Sequence, residues 1–588
     1  MKSPRRAISL ILLVAALTAC AAPPTPTPTV PPALPTVAPK PTATVAAAPT
    51  DAPVVTPTPA APAPRDPLFD PRRISYAHHF NGPEIQALLE VRGSQLKDVR
   101  FAVGGRSQSF TDVLVSLTSL YSLSPQLLLA LIDLQSGLVS NPQASSDQMA
   151  WALGYPDRGR RGLSSQLHWA ARELRYAVRD YALKGSGPPA PLVFADGTRQ
   201  ELSADISFSR YVLARVLAPT IGPGQLGARL DGLIRRYTRL FGDPREPPTD
   251  WPAPAAPFLT RPMERNFPIT SFFDHDTPFL RQNGSIATYW GRTETDIAFA
   301  YDGHTGWDYG IGPPDPVLAA GAGVVTFAGN SEDGCATPAH AVIIDHGNGY
   351  RTLYWHLDSI SVEAGQPITA GTPVGVAGAS GCAAGAHLHL QVQYLGRDVD
   401  PYGWCGAGAD PWAQSPTGQV SVWLWRDMPS PCGPPPPGVI VVDDGGPGFR
   451  SAAGWQSSAI GYGGGAHFAA GSFAGSVARP YLAASLRPPT VAIWRPTLPQ
   501  AGRYRVLAYV PYALNGLDES HELRYLIRHT GGESLAVADA ETSRNWWVDL
   551  GTYEFAPGQA LVSTSTLAGD DQHSIWVDAI AFVPAEDQ

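Results

Sequence analysis

The seven residues Leu388-His389-Leu390-Gln391-Val392-Gln393-Tyr394 alternate apolar and polar without a break. Only a strand with one face on a core and the other facing away accommodates that period. The neighbouring sequence agrees. Val324 to Ala328 and Ala341 to Asp345 are strand-like, and Asn348-Gly349 is a strong short hairpin signal. Arg351 to His356 then reads as the return strand, so the middle of the chain is expected to be antiparallel β with no helix of any length.

The same stretch holds a concentration of metal-capable side chains. His304 and Asp308 lie in Gly303-His304-Thr305-Gly306-Trp307-Asp308, His356 in Tyr354-Trp355-His356-Leu357, and His387 and His389 in His387-Leu388-His389. His387 and His389 are two apart on a strand and project to one face. His304 and Asp308 are four apart, but Gly303, Gly306 and Gly310 predict a loop rather than a helix. His356, two residues after Tyr354, can approach the same point across the sheet. A catalytic zinc wants three N or O ligands and one open position. The competing reading is an ordinary β domain with scattered histidines. Five such groups in three glycine-flanked blocks favour the metal site.

The flanks set the context. Lys2, Arg5 and Arg6 precede a short apolar run, Ala7 to Ala16, and then Leu17-Thr18-Ala19-Cys20. The run falls well short of the ~20 residues of a membrane span and reads as a signal segment, residues 1–20. Residues 21–65 are rich in Pro, Thr and Ala and favour polyproline II, a spacer of up to roughly 140 Å at ~3.1 Å per residue. From 66 to 250 the period becomes helical. Ser124 and Pro125 start a helix that runs to Gln135, and further helices are expected over Ser165 to Tyr181 and Gln225 to Phe241. Residues 251–430 are the β region above. Beyond the rigid break Pro434 to Pro437, short strands at regular intervals over 438–586 predict a β-sandwich. The expected class is therefore multidomain: an all-α N-terminal domain, an antiparallel all-β domain carrying the histidines, and a C-terminal β-sandwich. With 588 residues and a net charge of −9, the chain lacks the basic face that nucleic acid needs.

Three resemblances sharpen these expectations. The blocks H-x-x-x-D, Y-x-H-L and H-L-H, with Asp345-His346-Gly347-Asn348-Gly349 and Asp400-Pro401, resemble the lysostaphin-type (LytM-like) zinc endopeptidases of bacterial cell walls. That likeness implies His304, Asp308 and His389 as ligands of one Zn2+, and His356 and His387 as catalytic histidines. It implies peptidoglycan as substrate, its peptide cross-links being cut. Leu17-Thr18-Ala19-Cys20 resembles a bacterial lipobox. It implies an extracytoplasmic protein anchored to the cell membrane by lipid on Cys20, a stable hold when several acyl chains share one residue. Val441-Val442-Asp443-Asp444, Gly448-Phe449 and Leu550-Gly551-Thr552-Tyr553 resemble the golvesin C-terminal-like domain, which implies attachment to surface glycans.

The helix Ser124 to Gly137 also resembles lysozyme-like lytic transglycosylases. Gln135 stands where that family has its acidic glutamate, and an amide cannot donate the required proton. Outside the cytoplasm the four remaining cysteines are expected to pair as Cys335–Cys382 and Cys405–Cys432, out of three possible connectivities. The chain is expected to act as a monomeric peptidoglycan hydrolase. The alternative, a non-catalytic wall-binding lipoprotein or an activator of another hydrolase, is disfavoured because all five side chains are present.

Overall fold

The computed structural model describes residues 66–585 except 104–105, 277–283, 296–300, 332–335, 427, 472–489, 513–516, 568–569 and 571. Cys20, the signal-like segment, the Pro/Thr-rich run and Cys335 lie outside the described residues.

The N-terminal region has its own apolar core, built by helices Gly82–Val91, Phe110–Leu120, Pro125–Gln135, Leu163–Leu183, Phe208–Leu217 and Leu226–Phe241. The three expected helices are among them, each with bounds within two residues of the sequence reading. Leu226–Phe241 buries Leu226, Leu230, Leu233 and Tyr237 on one stripe and ends at Gly242, whose φ of 90° suits a residue without a side chain. The region is not wholly helical. Two short antiparallel ribbons, Arg100–Val103 with Arg106–Ser109 and Leu192–Val193 with Arg199–Gln200, interrupt it. Segments of two to four residues carry too little periodicity to be read in advance. Gln135 is used structurally: its amide donates to Thr220 Oγ1 at 2.9 Å.

The histidine-bearing region is an antiparallel sheet. Its strands run in the order Pro367–Ile368, Gly323–Ser331, Ala339–Asp345, Tyr350–Trp355, Leu388–Tyr394, Trp307–Tyr309 and Ile269–Ser271, with Arg397–Val399 also paired to Leu388–Tyr394. The Asn-Gly hairpin forms as expected, with His346 N–H donating to the Tyr350 carbonyl at 3.0 Å. Register is what matters for the site. Trp355 and Asp308 both lie opposite His389, one on each side of the Leu388–Tyr394 strand.

The C-terminal region is mostly antiparallel β. A four-stranded sheet centres on Gly502–Val510, a five-stranded one includes Val491–Trp494 and Leu523–His529, and a three-stranded one contains Ala466–Ala470. Its apolar side chains and those of the histidine-bearing region form one continuous core. Trp425 and Trp546 meet edge-on with ring centroids 5.4 Å apart, and Phe272 lies 4.1 Å from Tyr512. Trp547 donates to the Pro429 carbonyl at 2.8 Å. Close by, Cys405 and Cys432 form a disulfide with Cα atoms 5.0 Å apart.

Candidate metal centre

The sheet brings His304, Asp308 and His389 to one point. His304 Nε2 lies 3.1 Å from Asp308 Oδ1 and 2.9 Å from His389 Nδ1, and His389 Nδ1 lies 3.0 Å from Asp308 Oδ1. His304 Nδ1 donates to the Phe272 carbonyl at 2.7 Å. A carbonyl only accepts, so the Nδ1 proton is fixed there and the Nε2 lone pair faces the site. Two imidazole nitrogens and a carboxylate oxygen thus converge within one small space. Such a set is poorly satisfied by its own hydrogen bonds and suits a divalent cation with a vacant fourth position.

Electrostatics agree. Burial pushes His389 down to about 4, against the pull of Asp308, so its imidazole is neutral and its lone pair available at neutral pH. Burial also opposes ionisation of Asp308, but His304 and His389 outweigh it and hold the carboxylate well below its usual range. For His304 the burial penalty is overcome chiefly by the charge of Asp308, and its pKa is raised.

The two other histidines stand beside this set. His356 and His387 have ring centroids 4.6 Å apart, and His387 Nε2 is 3.8 Å from Asp308 Oδ1. Each donates Nδ1–H to a carbonyl, His356 to Ser380 at 2.7 Å and His387 to Gly385 at 2.8 Å, which leaves both Nε2 atoms for a ligand. Burial, seconded by His387, lowers the pKa of His356 and favours its neutral form. His356 falls one residue past the Tyr350–Trp355 strand rather than on it, with φ of 65°. That left-handed turn swings its ring back toward His387, a strain accepted at functional positions.

Several residues outside the five expected site residues support the arrangement. The Asp274 carboxylate accepts from the backbone N–H groups of Gly303, Ala287 and Asp276 at 2.8, 2.9 and 2.8 Å, and so shapes the loop that presents His304. His275 is buried between Asp400 and Asp410, at 3.0 and 2.8 Å, and Asp400 also accepts from Trp307 next to Asp308. Gly306 is open because the His389 ring occupies its side-chain position. A cavity of about 530 Å3 between residues 76–83 and Gly323 to Thr326 includes none of the five site residues.

Three ligands of N and O type on an antiparallel sheet, with two histidines poised beside them, define the class of site used by metal-dependent hydrolases. Comparison with known proteins narrows the class. Residues 302–401 match peptidase family M23 and residues 465–584 the golvesin C-terminal domain, so the chain carries a LytM-like endopeptidase domain joined to a golvesin-like one. Residues 67–258, the helical region, match the LasA N-terminal domain.

Among curated relatives, DD-carboxypeptidase/endopeptidase Mpg of Neisseria meningitidis is 32% identical over 138 residues, covering 22% of this chain and 31% of its own length. Peptidoglycan DD-endopeptidase ShyA of Vibrio cholerae is 36% identical over 97 residues, 16% of this chain and 22% of that protein. Protease LasA of Pseudomonas aeruginosa is 24% identical over 303 residues, 48% of this chain and 66% of that protein. The chain thus spans about a third or less of the length of the first curated relatives it matches.

Proposed function

We propose that this chain is a zinc-dependent endopeptidase that hydrolyses peptide cross-links of bacterial peptidoglycan at the cell surface. The observation that carries the reading is the convergence of His304 Nε2, Asp308 Oδ1 and His389 Nδ1, within 3.1 Å of one another, beside two histidines whose Nε2 atoms are unclaimed. The relatives named as peptidoglycan or carboxypeptidase/endopeptidase enzymes support the substrate class. A lipid on Cys20 and the extended run that follows it would hold the enzyme at the membrane while letting it reach the wall.

In this reading His304, Asp308 and His389 hold the zinc, which supplies Lewis acidity and lowers the pKa of water at neutral pH. His356 and His387 handle the protons. With its Nε2 lone pair free, His356 can accept a proton from the attacking water, while the neighbouring His387, whose Nδ1–H is held by Gly385, donates from Nε2 to the developing oxyanion in its protonated form. The peptide C–N bond then breaks and the departing amine takes up the proton. The Ser380 and Gly385 carbonyls hold the Nδ1–H of each ring and turn both Nε2 atoms toward the reacting groups.

The test uses the full chain, because residues 251–430 share their core with the C-terminal region. Zinc-loaded protein and His389→Ala are incubated with purified peptidoglycan, and the soluble fragments are analysed by mass spectrometry. New amino termini at cross-links are expected from the wild type alone. Identical products from both would overturn the proposal.

A further inference from the structure

A cavity of about 310 Å3 lies between the Leu163–Leu183 helix and the strands that carry the metal set. Its floor continues the site. His389, Gln391 and Gln393 alternate along one strand and share a face. Trp355 lies opposite His389 and Leu353 opposite Gln391, and all but His389 line the cavity. Gly303 and Thr305, on either side of His304, close its near end. Its roof is Arg175, Tyr176 and Arg179 of the helix. The two arginines are one turn apart and therefore side by side.

Three features mark this space as built for a ligand. First, neither Arg175 nor Arg179 forms an ion pair with a carboxylate among the described residues, whereas Arg215 of a neighbouring helix pairs with Glu173 and Asp180 on the same Leu163–Leu183 helix. Second, Asp398, which also lines the cavity and feels the charge of Arg175, makes no ion pair with either arginine and instead accepts from the Gln391 and Gln393 amides at 2.5 and 2.9 Å. Third, two buried polar atoms that belong to the lining, Gln393 Oε1 and Trp355 Nε1, have no hydrogen-bond partner, and Gln393 is only 1% exposed. Native structures rarely leave such atoms unmatched without a use for them.

We propose that this cavity is a specificity subsite in which Arg175 and Arg179 bind a carboxylate of the substrate peptide. The proposal rests on the endopeptidase reading of the metal site and adds the chemistry of the substrate beside the bond cut. A strand advances about 7 Å for every two residues. An extended substrate running along the same face therefore brings residues roughly two to four positions from the scissile bond under the arginines. Guanidinium forks match carboxylates in geometry as well as charge. Trp355 Nε1 and Gln393 Oε1 offer one donor and one acceptor to the peptide backbone between. The helical region thereby becomes one wall of the substrate groove.

The test uses the full chain and two synthetic stem-peptide dimers cross-linked from D-Ala to diaminopimelate. They differ only in whether the free carboxyl of the donor-strand diaminopimelate, which precedes the D-Ala and is the second residue from the bond cut, is a carboxylate or a carboxamide. Binding is read by tryptophan fluorescence in the presence of a chelator, and turnover separately with zinc. The wild type is expected to bind the carboxylate form at least tenfold more tightly. In Arg175→Gln/Arg179→Gln that preference should vanish while kcat on the carboxamide peptide stays within twofold. Arg175→Lys/Arg179→Lys, which keeps the charge, should retain part of the preference and controls for folding.

Equal binding of both peptides by the wild type, binding of neither, or a preference that survives the glutamine double variant would overturn the subsite. Discrimination in binding with no cleavage under zinc would instead overturn the endopeptidase reading and leave the subsite standing. Cleavage of both peptides without discrimination would do the reverse.

Discussion

Gly306 offers the sharpest test of how the metal set is held. A Cβ built there would stand 2.7 Å from His389 Cε1, 2.7 Å from His389 Nε2 and 2.7 Å from the Leu390 carbonyl oxygen. Ordinary contact begins near 3.5 Å, so Gly306→Ala creates an overlap of about 0.8 Å. The Leu390 carbonyl cannot give way, because Leu390 is paired across the sheet with Trp307 and Tyr354. The ring must move instead. Metal–ligand distances tolerate only about ±0.2 Å, so a shift of this size takes His389 Nδ1 out of coordinating position. Misplaced ligand geometry costs about 10–100-fold in metal affinity, and the overpacking costs about 1–3 kcal/mol of stability. Zinc affinity measured by competition with a chromophoric chelator should fall by that factor, and kcat/KM by at least about 100-fold. A Gly306→Ala protein with wild-type zinc affinity would refute this account of the site.

His356→Ala should keep its zinc, since His356 lies outside the converging triad, while losing a factor of about 100 or more in kcat. Loss of metal content in that variant would show that the division between binding and proton-handling histidines is wrong. The buried His275 sets a pH dependence. Burial opposes its charge, but Asp400 and Asp410 on either side raise it to about 9. Because the folded value lies above the unfolded one, the stabilisation is fully present below pH ~6.5 and is lost as pH rises through about 9. It amounts to something on the order of 3 kcal/mol. Thermal unfolding should show the wild type losing more stability than His275→Gln across that window; parallel curves would contradict it. Tyr512→Ala removes the ring that backs Phe272, whose carbonyl fixes His304. It should cost about 3 kcal/mol and weaken zinc binding several-fold in the full chain. Unchanged zinc affinity would mean that the C-terminal region does not brace the ligand.

What could be read from the sequence was what is local. The alternation of His387-Leu388-His389 sets both rings on one face wherever the strand ends up, and the amphipathic stripes of Leu163–Leu183 and Leu226–Phe241 announce helices by period alone. Helix Phe110–Leu120 went unread although its start is marked. Ser109 and Asp112 cap each other, the Ser109 Oγ accepting from Asp112 N at 3.1 Å and the Asp112 carboxylate from Ser109 N at 3.0 Å. Its Ser, Thr and Val content hid the signal. Other features have no local signature. His356 adopts a left-handed backbone that nothing in Trp355-His356-Leu357 foretells. The pairing of His275 with Asp400 and Asp410 joins residues 125 and 135 positions apart. Phe272 contributes a main-chain carbonyl, which every residue has.

The same long-range packing alters what the flanking regions are for. Strung as independent modules, the helical and C-terminal regions could deliver the site to its substrate but could not affect its geometry. Here they press on it from different directions. The helical region supplies Ser122, whose Oγ accepts from Gln393 Nε2 at 2.7 Å, along with Arg175 and Arg179 above the face that carries His389. The C-terminal region supplies Tyr512 against Phe272, and Tyr509 and Asn545 against Tyr289, within one apolar core. A strand whose outer face carries His389, Gln391 and Gln393 would otherwise be exposed along most of its length. The helical region walls the cavity beside that face, while the C-terminal region braces it from within the core. On the subsite proposal, selectivity resides in residues distant in sequence from the histidines, and changes to the helical wall should alter which peptide is accepted before they alter whether zinc is held.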